Sequence, residues 1–245
     1  MIGECYVYSF WRLTSVKKIK IYSEVVYIIA QFGLTFAVAV MAAADFGLSM
    51  IVAPSYIISQ KFSVFTFGQW DYLIQGLLFI VLCLCMKKFR LTYLMSFLTC
   101  VIYGTILDVW RAVIPILNPE ITAPGSMPIA VRIILFVFGE LLNAAMVALF
   151  FKSYIYPLVT EFFVKGMSKR YNIDINKFKK IFDLCGLAVS VMLTLVFFKR
   201  FVGIKWGTVV IALINGELIG FFSRLFDKYF ETVDLFPRFA AKFKF

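Results

Sequence analysis

The chain has 245 residues, of which 62% are hydrophobic and 16% charged, with a formal net charge of +11. So much apolar surface exceeds what one soluble core hides, and most of it must face lipid. The positive charge would suit a nucleic-acid binder, but the basic residues cluster at the ends of apolar runs, as signals for membrane orientation do. We therefore expect a lipid bilayer around the chain and no nucleic acid as a partner.

Six apolar runs are long enough to cross a hydrocarbon core, which takes about 20 helical residues. They predict an all-α integral membrane protein whose spans lie at 25–44, 72–86, 91–114, 129–151, 181–198 and 203–225. The membrane domain then covers 25–227, between an interfacial N-terminal segment, 1–24, and a basic aromatic tail, 228–245, that suits an anionic membrane surface.

Six spans place both termini on one side of the membrane. If that side is cytoplasmic, most Lys and Arg residues lie in the inner segments, as the positive-inside rule requires. Tryptophan prefers the membrane interface, and Trp70, Trp110 and Trp206 all fall at outer ends of spans in this orientation. We therefore expect cytoplasmic N and C termini.

Mostly small residues occupy every fourth position in part of the third span, and the same spacing recurs 112 positions later in the sixth span. The residues are Ser96, Cys100, Gly104 and Asp108 in the third span and Thr208, Ala212, Gly216 and Gly220 in the sixth. Pro54 and Pro157 follow the first span of each half and open short aromatic segments. These features predict two three-helix repeats, at 25–114 and 129–227, with short broken or re-entrant helices after spans one and four. Because each repeat crosses the membrane three times, the second repeat lies upside down in the membrane relative to the first, as in many secondary transporters.

Two segments resemble the YczE/YyaS/YitT group of bacterial membrane proteins, namely ADFGLS at 44–49 and GTVVIALINGELIGFF at 207–222. The resemblance covers about 28–227, although Glu217 stands where that group more often has a small residue or Pro. It implies a multi-pass protein of a bacterial cytoplasmic membrane, and transport is the function usually presumed for the group.

Glu140 lies near the centre of the fourth span, where an ionised side chain costs roughly 2.5 to 3.5 kcal/mol on insertion scales. Asn143 shares its helical face. Glu217, the second acid, lies in the sixth span with Asn215 on another face of the same turn. We expect Glu140, Asn143, Asn215 and Glu217 to bind a substrate, an ion or protons; the alternative for Glu140 is a neutral acid bonded to a neighbouring helix.

Asp108 and Asp183 lie nearer the ends of their spans, where they form a gate or rim or else solvated helix ends. Close helix packing is expected at the small residues Ala39, Ala43, Gly104, Ala212, Gly216 and Gly220. Alternatively, Ala39 and Ala43 dock a partner protein, as an Ala motif does in the substrate-binding subunits of energy-coupling-factor vitamin transporters.

The residues favour a small-molecule secondary transporter or a substrate-binding membrane subunit, with a midplane site between the halves. Two buried acids without a central Lys or Arg favour a cationic, amine-containing or proton-coupled substrate. The alternatives are a subunit of an energy-coupling-factor importer and a non-transporting scaffold or assembly factor, alone, as a homo-oligomer or with a partner membrane protein. An enzyme is not expected, and neither is a metal or a cofactor, because no nucleophile and base pair, ligand cluster or cofactor motif occurs.

Overall fold

The computed structural model describes residues 18–87, 93–118, 121–123 and 126–241. Eight helices of nine or more residues lie in these ranges: α1 (Ser23–Ala44), α2 (Ala53–Lys61), α3 (Phe67–Met86), α4 (Leu94–Val113), α5 (Ile129–Phe150), α6 (Val159–Tyr171), α7 (Ile175–Phe198) and α8 (Trp206–Tyr229). Two short strands, β1 (Ile19–Tyr22) and β2 (Phe230–Val233), flank them, and a short helix, α9 (Pro237–Ala240), follows β2.

Six of these helices, α1, α3, α4, α5, α7 and α8, are long and apolar enough to cross a membrane. The prediction of an all-α, multi-pass membrane protein with six spans is therefore confirmed. Most of the N-terminal segment expected at the interface, 1–17, lies outside the described residues, as do the last four residues of the tail. The described part of the tail forms β2 and α9.

Helices α1 and α5 run antiparallel through the centre of the protein. At one end Arg132 donates from Nε to the Ala44 carbonyl at 2.9 Å, and at the other the Tyr154 hydroxyl donates to Glu24 at 2.6 Å. Glycines allow the close crossing between these contacts, because a Cβ on Gly33 would lie 2.4 Å from the sulfur of Met146. Since α1 is buried over most of its length, it forms the inner wall against which other helices pack.

Strands β1 and β2 pair in parallel and hold the two chain ends side by side. Glu24, at the start of α1, also accepts hydrogen bonds from the backbone N–H groups of Leu235 and Phe236, both at 3.1 Å. We call this side of the bundle the terminal end and the opposite side, where Asp45 lies, the far end. The first and last described segments of the chain therefore lie at one end of the bundle, as an even number of spans requires.

Segment 45–61 enters the bundle from the far end and turns back. Asp45 contacts Lys205 just before α8, yet the Met50 carbonyl lies only 3.0 Å from where a Cβ would stand on Gly186, half-way along α7. Helix α2 then leads outward until the Lys61 ammonium lies over the ring of Phe198, the last residue of α7. Helix α2 is therefore re-entrant, with its N-terminus in the middle of the bundle.

Helix α6 enters in the same way from the terminal end. At its start the Val159 N–H donates to the Cys100 sulfur at 3.3 Å, nearly two turns inside α4. At its end Arg170 donates to the carbonyl of Met86, the last residue of α3. The two short aromatic segments predicted after Pro54 and Pro157 are thus helices that enter from opposite ends and begin in the interior.

The two halves repeat the same order of a long, a short and two long helices. Helices α1 and α2 begin 106 positions before α5 and α6. Helices α3 and α7 end 112 positions apart, each followed by a left-handed lysine, Lys87 at φ 50° and Lys199 at φ 54°. Packing repeats too: α2 and α6 each pack on both α3 and α7, while α4 packs on α1 as α8 packs on α5. Because α1 and α5 are antiparallel, this pattern supports the predicted inverted repeat.

One contact breaks the repeat. Helices α3 and α4 pack tightly, since a Cβ on Gly104 would lie 2.4 Å from the Gly68 carbonyl oxygen. Their counterparts α7 and α8 make no extensive contact among the described residues, and Gly216, which corresponds to Gly104, has open space where a Cβ would stand. Of the small residues predicted to pack, Ala39, Ala43 and Gly104 are buried. Ala212 and Gly216 are exposed and Gly220 is half-exposed, because α8 packs mainly on α5.

We predict that Gly104→Ala destabilises the protein by about 1 to 3 kcal/mol, because the new methyl group meets the Gly68 backbone, which cannot move aside cheaply. Gly216→Ala is the matched control, since no atom lies within 4 Å of its Cβ position. Thermal unfolding of the detergent-purified variants measures both. Equal melting temperatures for the two variants would contradict the α3–α4 contact.

Candidate functional site

A cavity of about 260 Å³ lies between the two halves of the protein. All six spanning helices contribute to this central cavity, and the segments leading into both re-entrant helices reach it, at Met50 to Val52 before α2 and at Leu158 before α6. Its polar lining residues on the spans are Asp71, Gln75, Tyr103, Asn143, Lys179, Lys180, Asp183 and Asn215. The repeat therefore brings six helices and two re-entrant N-termini to one place.

The central cavity continues toward the terminal end. A wider space of about 640 Å³, the vestibule, shares the walls formed by Glu161, Lys179, Asn215 and Gly216 and reaches Asp234 beyond β2. The gap between α7 and α8 runs along both spaces. The central cavity thus adjoins a larger space on the side of the bundle where β1 and β2 pair.

The far end is closed by charge pairs. Asp45 accepts from Lys205 at 2.6 Å and from Arg132 at 3.3 Å, which ties α1 to α5 and to the segment before α8. The guanidinium of Arg132 also lies 4.6 Å from the ring centroid of Phe46. Below this cluster the ring of Phe67 packs edge-on against Tyr56 and beneath Arg111. These contacts separate the central cavity from the far end.

Asp71 is the most deeply buried acid on the cavity wall, with 2% of its surface exposed. It accepts hydrogen bonds from the Ser55 hydroxyl of α2 at 3.0 Å and from the Gln75 amide at 2.5 Å. Gln75 in turn accepts from the Cys100 thiol at 2.9 Å, and the Cys100 sulfur accepts from Val159 at the start of α6. A continuous chain of hydrogen bonds therefore joins the N-termini of the two re-entrant helices through Asp71.

Asp71 is not among the site residues expected from the sequence, because the predicted second span begins at residue 72. The helix starts at Phe67, one turn earlier, where Thr66 and Gln69 form a reciprocal capping box. Thr66 accepts from the Gln69 N–H at 3.2 Å and donates its own N–H to the Gln69 side chain at 3.0 Å. That Thr-x-x-Gln signature was the signal that places Asp71 inside the span.

Two of the four predicted binding residues, Asn143 and Asn215, line the central cavity. Glu217 does not: it is exposed, because α8 uses its other face to contact α5. Glu140 is buried one turn from Asn143, outside the cavity lining, and neither of its carboxyl oxygens has a hydrogen-bond partner within the described residues. Asp71, but neither Glu140 nor Glu217, therefore lies on the wall of the central cavity.

The two predicted rim acids have different surroundings. Asp108 accepts from the Gly68 N–H at 2.9 Å and from the Thr66 hydroxyl, so it caps α3 and fastens it to α4. Asp183 lines the central cavity beside Lys179, whose ammonium lies 3.3 Å from Glu161 and 4.0 Å from Asp183. Of these two acids, Asp183 lines the central cavity, whereas Asp108 caps α3 outside it.

Comparison with known protein families gives one match, to a family of unknown function, DUF6198, over residues 21–224. The chain belongs to the DUF6198 family. The matched range contains every spanning helix except the last turn of α8, and both re-entrant helices. Nothing in the comparison confirms the resemblance to the YczE/YyaS/YitT group, which stays a prediction. No curated protein and no solved structure matches the chain.

We predict that Glu140→Leu leaves the melting temperature unchanged or raises it. The native carboxyl has no hydrogen bond to lose, and a leucine of similar volume removes a buried polar group that lacks a partner. Asp71→Leu is the matched comparison. It removes the acceptor of the Ser55 hydroxyl and the Gln75 amide, so it should lower the melting temperature. A large loss of stability in Glu140→Leu would mean that Glu140 stabilises the protein by bonding to a neighbouring helix.

Proposed function

We propose that this DUF6198 protein is a secondary transporter of a small solute, which binds in the central cavity between the two halves. The observation that carries the proposal is the pair of re-entrant helices, α2 and α6, which enter from opposite ends and begin at one cavity. Interrupted helices at corresponding positions of inverted repeats are a recurrent way to build a midplane binding site in transporters.

The energetics of the membrane favour the same interpretation. A helix that begins inside the hydrocarbon layer leaves its first backbone N–H groups without intrahelical partners, and this is tolerated only inside protein or along a water-filled cavity. A purely structural bundle avoids this cost with uninterrupted spans. Two helices that begin at one cavity inside the membrane favour a binding site in which the bound solute provides hydrogen-bond partners for these N–H groups.

The difference in helix packing between the two halves points to a transport cycle in which the halves alternate. In this conformation the α3–α4 pair is closed through Gly68 and Gly104, whereas the α7–α8 pair is apart and the cavity joins the vestibule. If the two halves exchange these arrangements, α7 and α8 close as α3 and α4 open, and the cavity faces the far end. Rocking of one repeat against the other is a common form of alternating access.

We predict that α7 and α8 approach each other during the cycle. By the repeat, Lys180 and Gly216 correspond to Gly68 and Gly104, so cysteines at 180 and 216 should form a disulfide under oxidation in native membranes. The variant carries Cys185→Ser to remove an exposed thiol from α7. The control pairs position 180 with Leu213, which is 75% exposed on α8. Failure of the first pair to crosslink above the control would exclude this closed arrangement.

We also predict access to the central cavity from both sides of the membrane. Asn143→Cys should react with a membrane-impermeant thiol reagent in intact cells and in inside-out vesicles, because a transporter exposes its site to each side in turn. Cysteines at Lys87 and Ser126 mark the two sides and test the expected cytoplasmic termini: position 87 should react only from inside and position 126 only from outside. Reaction of Asn143→Cys from one side alone would favour a protein that does not transport.

A non-transporting scaffold is the second candidate, and the exposed small residues of α8 are the observation that favours it. Ala212 and Gly216 line the central cavity at the gap between α7 and α8, and this gap leaves room for a close-packed helix from a partner. By contrast, Ala39 and Ala43 are buried against the protein's own helices, so they offer no docking surface for an energy-coupling partner. The two-sided access measurement separates the scaffold from the transporter.

A further inference from the structure

Asp71 forms no ion pair with any described residue in the interior of the protein. Both of its oxygens accept hydrogen bonds from neutral donors, Ser55 and Gln75, as an ionised carboxylate does. An ionised carboxylate in the interior is costly unless a positive charge joins it, and this one lies on the wall of the central cavity.

Asp183 is the counterpart of Asp71 in the second repeat, 112 positions later on α7. It lines the same cavity, and its Oδ1 atom is buried without a hydrogen-bond partner among the described residues. The nearest cation, Lys179, lies closer to Glu161 than to Asp183 and is shared between the two acids. Each half therefore presents to the cavity a carboxylate whose charge is incompletely balanced.

Three further polar groups on the cavity wall have no partner within the described part of the chain. The Tyr103 side chain is 1% exposed and Asn143 is 8% exposed, yet neither forms a hydrogen bond with a described residue. The Oδ1 atom of Asn215 is also buried without a partner. Buried polar groups are normally hydrogen-bonded, so several unpaired groups around one cavity indicate a ligand that pairs with them.

We propose that the central cavity binds a small aliphatic amine in its ammonium form, with Asp71 as its charged partner. This inference names the substrate class and rests on the proposed function for its link to transport. The three N–H donors of an ammonium group match the acceptors that Asp71 and the Asn143 and Asn215 amide oxygens provide. The Tyr103 ring adds a surface that attracts a cation.

The apolar part of the lining favours an organic cation over a bare metal ion. Leu34, Val38 and Ile211 occupy the wall of the cavity, where a hydrocarbon chain packs well. A volume of about 260 Å³ equals about nine water molecules at roughly 30 Å³ each, far more than one ion needs. The described residues also hold no group of three or more metal-ligating side chains.

The N-termini of the two re-entrant helices do not make the site prefer an anionic solute. Glu161 occupies the first turn of α6, and Asp71 bonds to Ser55 in the first turn of α2. Each positive helix end therefore already has a carboxylate of the protein close to it. An anionic solute would meet these carboxylates directly, whereas an ammonium group is attracted to them.

The test measures binding of butylammonium chloride to the full-length protein in detergent by calorimetry. Butanol and sodium butyrate are the probes of matched length with neutral and negative charge. We expect butylammonium to bind at least about tenfold more tightly than either. Equal binding of the three probes, or preference for butyrate, would overturn the proposal.

Substitutions test whether Asp71 is the residue that binds the ammonium group. Asp71→Asn should weaken butylammonium binding at least tenfold, whereas Asp227→Asn, which removes an exposed charge that pairs with Lys152 at the surface, should leave it unchanged. If Asp71→Asn does not fold, Asn143→Leu provides a second test, because it removes an amide oxygen that accepts from the ammonium group and no hydrogen bond to a described residue. Undiminished binding in Asp71→Asn, or in Asn143→Leu where Asp71→Asn does not fold, would overturn the assignment.

Uptake into liposomes separates the two proposals. Binding of butylammonium without uptake would support the amine site and contradict the transporter. Two-sided access to position 143 without any amine binding would support the transporter and overturn the amine site.

Discussion

The antiparallel crossing of α1 and α5 is the contact on which the rest of the structure depends. It joins the two halves at the centre, where Gly33 and Gly139 allow methionines of the opposite helix to lie against the backbone. Hydrogen bonds at both ends, from Arg132 to the end of α1 and from Tyr154 to its start, fix the register of the pair. Because each helix of this pair opens one repeat, their crossing sets where the remaining helices of each half can pack.

This arrangement explains why the re-entrant helices meet. Each follows its own central helix and folds back between the long helices of both halves, since α2 and α6 each contact α3 and α7. Neither could begin so deep in the bundle without partners for its first residues. Cys100 provides one such partner for α6, and the contact between Ser55 and Asp71 provides a polar anchor for α2. The polar chain from Ser55 to Val159 is thus a structural support, and two of its members, Asp71 and Gln75, also line the cavity.

Much of this fold could be predicted from the sequence, because hydrophobic runs indicate span length and prolines mark the two re-entrant helices. The four-residue spacing of small residues indicates close packing in α4, at Gly104, but not in α8, at Gly216. Runs at 129–151 and 25–44 matched α5 and α1 to within two residues. The site was harder to predict. Asp71 was assigned to a loop because apolar content alone placed the start of its helix one turn too late, and the capping signal at Thr66 was not used. The orientation of Glu217 could not be predicted, since an acid in an apolar helix indicates depth but not which face the helix packs.

Pairing of β1 with β2 has a consequence for how the chain reaches this structure during synthesis. The partner of the first strand follows the last spanning helix, so all six helices must be made and inserted before the strands can meet. Helix α1 must therefore remain in the bilayer without α5 while the first half is completed, with its alanine-rich face in contact with α4 or lipid. Closure of the two strands would mark the end of membrane insertion.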